Sequence, residues 1–314
     1  MRILLAFVLL FASVISKAQS DIDALILRDD PYDISNVWIK AAPLYIGSLY
    51  EAEVDAGAAL GFQYQWQNQV FFDVYAKLPY SPVVDGAKEA AEQDSARGDY
   101  VRGFEADIGL TWIISDTIKL KALNMFIGSG RNPERLYRTQ SSLRKAWGIK
   151  AGYNYMSSVV SGNYLRLDRI QHASGTSLDN MPGRKFTNIR VRSFYLGLSQ
   201  FTIRNFRIQT SDFGENEDFR FRRIFADMMV SPALLIDEVG YGYNSYDLSG
   251  DEYSERPFGF RVGIEEYLRF SDHVGFIASL ETGIRPGLNH INSDNPVRNF
   301  YWQARLFLTL HDKW

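Results

Sequence analysis

The 314-residue chain contains no cysteine. That excludes disulfides, thiolate nucleophiles and cysteine-ligated zinc or iron–sulfur centres. Histidine is scarce as well. His172, His273, His290 and His311 fall in loops, a turn and the terminus, none of them mid-strand with a serine two residues away on the same face. A hydrolase triad or dyad holds an imidazole between a carboxylate and a hydroxyl, so no catalytic residues are expected and the chain does not read as an enzyme. A basic excess is missing too: the formal net charge is -3, which gives nucleic acid nothing to bind. Gly128-Ser129-Gly130 lacks the third glycine and the helix of a phosphate loop. The acidic groups Asp212, Glu215, Glu217 and Asp218, and Asp247, Asp251, Glu252 and Glu255, do not have calcium-loop spacing. No cofactor and no metal are expected.

Long apolar runs are confined to the start. Arg2, the apolar stretch Ile3 to Ile15 and the small-x-small site Ser16-Lys17-Ala18 form a signal peptide over residues 1–18. Past it, no window approaches the roughly 20 apolar residues of a transmembrane helix. Residues 19–35 read as a periplasmic N-terminal segment with room for one helical turn at Ala24–Leu27.

What the chain has is alternation. From Glu51 to Leu78, Ala52, Val54, Ala56, Ala58, Leu60, Phe62, Tyr64 and Trp66 share one face, and Val70, Phe72, Val74, Ala76 and Leu78 resume it after Gln67-Asn68-Gln69. Successive strand residues point to opposite faces, so this hairpin has one apolar surface and one largely polar surface. Aromatics are plentiful, with 18 Tyr and 21 Phe, as in the interfacial girdles of membrane barrels. Similar strands follow at 100–114, 117–127, 146–156, 164–171, 187–199, 202–211, 219–230, 233–246, 258–270, 274–284 and 299–310. Short turns alternate with longer loops. With Val37–Ile46 as the first strand, the pattern predicts an all-β fold, a transmembrane antiparallel up-and-down β-barrel over residues 36–314, with about 14 strands or alternatively about 12. Short turns would face the periplasm and long loops the exterior.

The exported leader, the alternating strands, the turn-and-loop rhythm and the terminal amphipathic strand ending at Trp314 resemble Gram-negative outer-membrane β-barrel proteins. The resemblance implies residence in the outer membrane, contact with outer-membrane lipids and lipopolysaccharide, and Trp314 as the signal read by the barrel-assembly machinery. His311-Asp312-Lys313 departs from it by breaking the apolar face ahead of Trp314.

The polar face is the informative one. Glu53, Asp55, Asp73, Lys77, Glu105, Asp107, Lys119, Lys121, Lys150, Arg261, Glu265, Arg269, Glu281 and Arg305 are expected to line the lumen. Unpaired, they would border a water-filled pore; paired across strands, they would plug it. The first alternative implies a passive channel for small polar solutes. The second implies a non-conducting barrel that scaffolds an envelope or secretion assembly. A lipid-modifying enzyme ranks behind both. Arg190, Arg192, Arg220 and Arg222 share parity with lipid-facing neighbours and are expected to form one external patch for lipopolysaccharide phosphates, unless a bulge near Ser193 turns the first two inward.

Overall fold

In the computed structural model the described residues are 24–48, 54–80, 104–127, 135–161, 164–172, 174–181, 185–241, 244–248, 250–289 and 300–312. The signal peptide, Glu53 and Trp314 lie outside them, as does the side chain of Asp55.

The alternating stretch folds as its period dictates. β2 (Val37–Ser48), β3 (Val54–Trp66) and β4 (Val70–Pro79) make an antiparallel meander. Between β3 and β4, Gln67 and Asn68 take positive φ angles of 49° and 58°, and the Gln69 N–H donates to the Trp66 carbonyl at 3.0 Å. Two left-handed residues in succession give a turn whose twist suits a hairpin. The next four strands are much longer: β5 (Phe104–Ile127), β6 (Arg135–Ser161), β7 (Phe186–Thr210) and β8 (Gly214–Ile236). Short strands β9 (Val239–Tyr241), β10 (Asn244–Tyr246) and β11 (Glu255–Arg256) precede β12 (Phe258–Arg269). β13 (Val274–Ile284), β14 (Gly287–Leu288) and β15 (Phe300–Asp312) complete the chain. The expected helical turn near Ala24 is instead a strand, β1 (Ala24–Asp29), which pairs with the end of β7.

The order β7-β6-β5-β4-β3-β2-β15-β13-β12-β8, closed by the β7–β8 pairing, is a ring of ten antiparallel strands. The expected 14 strands, and the alternative 12, are therefore wrong. The supposed turns at 115–116, 200–201 and 231–232 lie inside β5, β7 and β8, so six expected strands are three. The supposed strand at 164–171 is instead a 3-10 turn, Leu167–Arg169, flanked by isolated bridges at Leu165 and Gln171. At 115–116, Ser115 and Asp116 interrupt a hydrophobic pattern without reversing the chain. At 231–232 the backbone is knitted in, with the Ser231 N–H bonded to the Pro257 carbonyl at 2.7 Å and its hydroxyl to the Arg192 carbonyl at 2.9 Å.

Two compact units share the long strands. Residues 35–115, 147–200 and 222–314 form the barrel; 116–146 and 201–221, with the segment ending at Ile34, form a hairpin unit. In the barrel the apolar residues point out: Leu60 is 66% exposed, Leu196 62% and Leu306 53%. Its inner face sets charged side chains among buried Trp38, Phe71, Phe225, Ile277 and Phe307, and turns apolar at the loop end. There Met156, Val160, Tyr164, Ile189, Val191 and Leu288 pack into an apolar cluster, and Leu165, Ile170, Leu178 and Val239 into a second beside Tyr253.

The hairpin unit has the opposite partition. Leu123, Met125 and Ile127 of β5 bury against Phe206, Ile208 and Phe213. Its N-terminal segment is fastened by polar contacts. Asp29 accepts from the Ser142 N–H at 2.8 Å, Arg28 pairs with Asp33 at 3.0 Å, and the Tyr32 hydroxyl donates to Asp116 at 3.1 Å. Arg144 grips the same Asp116 at 2.7 Å and stacks 4.3 Å over the Tyr32 ring. Partial burial, with the Asp116 carboxylate beside it, raises the pKa of the Tyr32 hydroxyl.

Candidate functional site

The feature with concentrated chemistry is the barrel interior. Each strand of the ring alternates, so its inward residues form a short ladder, and closure brings ladders from opposite walls together. Asp227 of β8, with a fully buried side chain, accepts from Lys150 Nζ of β6 at 2.8 Å and Arg261 Nε of β12 at 2.7 Å. The other arm of Arg261 reaches Asp107 of β5 at 2.7 Å. Tyr195 of β7 donates its hydroxyl to Asp107 at 2.7 Å, and the Asn154 amide links Asp107 to Glu105 at 3.3 and 3.1 Å.

Glu105 is also held by Lys77 at 2.8 Å and Arg285 at 2.5 Å. Arg285 continues to Glu281 at 3.5 Å, where Tyr301, Gln303 and Arg305 converge at 2.6, 3.0 and 3.2 Å. A neighbouring group joins Asp73 of β4 to Arg223 of β8 at 2.7 Å, with Glu265 at 3.6 Å. Lys40 bonds Gln63 at 2.7 Å and the Tyr267 hydroxyl at 3.1 Å.

Two of these bonds decide what the interior is. Arg223–Asp73 and Arg261–Asp107 each join strands four places apart around the ten-strand ring. Side chains that meet across the lumen occupy it. Aromatic rings fill the remaining space: Arg261 lies 4.2 Å over Tyr195, Arg285 4.3 Å over Tyr301 and Lys150 4.1 Å over Phe225, each a favourable cation–π contact. One void at the centre, lined by Lys40, Asp73, Tyr75, Asp107, Arg223 and Arg305 among others, has a volume of ≈ 50 Å³. That is room for a few waters and no pathway. Barrels of about eight strands are filled by side chains, and those of about 16 carry aqueous channels; ten strands sit near the filled end.

Nine expected lumen residues meet in this network: Asp73, Lys77, Glu105, Asp107, Lys150, Arg261, Glu265, Glu281 and Arg305. Lys119 and Lys121 do not, being exposed in the hairpin-unit part of β5. Arg269 is half-buried at the end of β12. Lys40, Arg223, Asp227 and Arg285 were not anticipated. For Arg223 and Asp227 the signal was present, since they alternate with outward Ile224, Ala226 and Met228. Arg285 lies one residue past its strand, where parity no longer informs.

The four outward arginines do not form one patch. Arg190, paired with Asp237 at 2.5 Å, and exposed Arg192 stand near the start of β7. Arg220 and Arg222 stand near the start of β8, and antiparallel pairing puts those two starts at opposite ends. The grouping depended on the extra strands and falls with them.

No protein-family model matches the chain, and no curated protein sequence does. Among solved structures it is similar to one described as "CymD monoaromatic hydrocarbon channel", with 7% identity over 90% of each chain and a TM-score of 0.23. It is also similar to a "Bacterial polysaccharide outer membrane secretin", with 10% identity over 90% of this chain and 100% of that one and a TM-score of 0.21. Overlaps this shallow carry no argument, and the closed antiparallel barrel rests on its own strand register.

Proposed function

We propose that the protein is a non-conducting barrel of the bacterial outer membrane that serves as a scaffold, presenting its hairpin unit and loop end to an envelope assembly. The observation that carries this reading is the ion pairs that meet across the lumen in two neighbouring groups. Membrane placement is supported by the outward face. An exposed patch beyond a few hundred Å² is unusual on a soluble monomer, and here every barrel strand carries large exposed apolar residues. The six shorter ring strands have 10 to 13 residues, close to the roughly 9–11 a tilted strand needs to cross the hydrocarbon. The turn end, where both ends of the barrel chain also lie, then faces the periplasm.

Planar-bilayer recording tests the proposal, with insertion verified by heat-modifiable electrophoretic mobility. Inserted protein should be silent. Steady open steps from the unmodified protein would favour the channel reading instead.

A further inference from the structure

We infer that the basic strand edge of the hairpin unit, residues 117–123 of β5, is a docking site for an extended segment of a partner protein in which acidic residues alternate with apolar ones. This deepens the scaffold reading above and rests on it for the periplasmic side.

The hairpin unit leaves this edge open. Among the described strands, β5 pairs only with β4 and β6. Its register with β4 runs from Glu105 to Trp112, and the Ile113 N–H then donates to the Gln69 carbonyl at 2.8 Å. β5 continues to Ile127. From Thr117 onward no described strand stands on its β4 side.

Parity fixes what the edge offers. Odd-numbered Glu105 and Thr111 are buried in the barrel, and odd-numbered Leu123 and Met125 in the hairpin unit, so the alternation runs through without a shift. Backbone groups point alternately to the two sides of a strand, and Ile113 sends its N–H to the β4 side. Thr117, Lys119, Lys121 and Leu123 therefore turn their N–H and C=O groups to the open edge. A strand added there gains a ladder of main-chain hydrogen bonds.

The side chains say which strand. On one face Ile118 is 46% exposed and Leu120 65%. On the other, Lys119 and Lys121 are exposed, and no described carboxylate pairs with either. Acids of the same unit are already engaged: Arg207 holds Glu217 at 2.8 Å and Arg204 holds Asp218 at 2.9 Å.

A long open edge invites a second copy of the chain, and the lysines oppose it. Two copies paired antiparallel over 117–123 would set Lys119 of each against Lys121 of the other, and like charges directly opposite are unfavourable. A foreign strand with carboxylates at those positions turns both repulsions into ion pairs. Opposed residues of paired strands share a face, so its intervening residues meet Ile118 and Leu120 and are apolar.

The test uses the folded full-length protein, in detergent and separately in vesicles, with fluorescent peptides read by anisotropy. One peptide alternates valine with glutamate and one alternates valine with lysine. The unmodified protein should bind the glutamate peptide about tenfold more tightly, the worth of one charge-assisted contact. Lys119→Glu with Lys121→Glu should invert that preference. A glutamate peptide N-methylated at alternate residues, which cannot donate along the edge, should not bind. Equal affinity for the two peptides, no binding of either, an uninverted preference in the double variant, or undiminished binding of the methylated peptide, each with normal heat-modifiable mobility, overturns the site and leaves the scaffold reading standing. Failure of the protein to enter vesicles, with the peptide preference intact in detergent, overturns the membrane placement and the periplasmic side but not the edge site.

Discussion

Strand β5 passes through both units, and its odd-numbered face changes character on the way. In the barrel that inward face carries Glu105, Asp107 and Thr111, while Ile108, Leu110 and Trp112 look outward. In the hairpin unit the same parity carries Leu123, Met125 and Ile127, all buried. Between them, residues 114–122 offer no buried face at all: Ile114 through Ala122 are exposed. The geometry of alternation is constant and the chemistry inverts. Burying a charge without partners is costly, so an ionic interior with an apolar exterior is sensible only where the surroundings are less polar than the core. An apolar interior is what water selects. On the membrane placement proposed above, the two halves of one strand are matched to two solvents.

That comparison can be broken at several points. The largest effects should come from each interior. Asp227→Ala would leave Lys150 without its carboxylate and Arg261 with Asp107 alone, and should cost about 3–5 kcal/mol, read as a lower urea midpoint for the heat-modifiable form. Phe206→Ala would open a cavity in the apolar core of the hairpin unit at a similar cost, about 3–5 kcal/mol. It should show as proteolysis within 116–146 and 201–221 while the barrel keeps its folded mobility.

The exteriors separate the two regions more sharply. Leu196→Arg, on the barrel wall, should cost about 2–4 kcal/mol if lipid surrounds it. Phe126→Arg, at a site 72% exposed in the hairpin unit, should stay within about 0.5 kcal/mol. Equal penalties in urea titrations of vesicle-folded protein would remove the distinction between the two solvents. A further effect is local: Tyr32→Phe loses the bond to Asp116 and should cost about 1 kcal/mol, seen as faster cleavage of the N-terminal segment.

Much of this was legible from period alone. The nine inward residues that meet in the network, and outward Leu60, Ile108 and Leu306, follow from alternation, and so does the hairpin at Gln67-Asn68; Lys119 and Lys121, expected inward, are exposed. The strand count was misread because turn chemistry and a polar interruption look alike in one dimension. At Ser115-Asp116 the sequence held a correction: a two-residue turn flips parity, yet Ile118 and Leu120 keep the parity of Ile108 through Ile114. At Gln200-Phe201 it did not. Phe201 and Ile203 shift the apolar parity, as a turn would, and both are fully buried in the hairpin unit. Which lumen charges pair could not be read either, because partners such as Arg223 and Asp73 are 150 residues apart and meet only through ring closure.

The most direct test of two solvents along one strand is site-directed spin labelling of β5, for which the cysteine-free chain has no background thiol. Single cysteines at Ile108, Leu110, Trp112, Asn124 and Phe126 would be labelled in vesicle-folded protein. Collisions with dissolved oxygen and with a water-soluble nickel complex would then be compared. Labels at 108, 110 and 112 should favour oxygen, and labels at 124 and 126 should favour nickel. Nickel access at 108–112 equal to that at 126 would place the barrel wall in water and contradict the account.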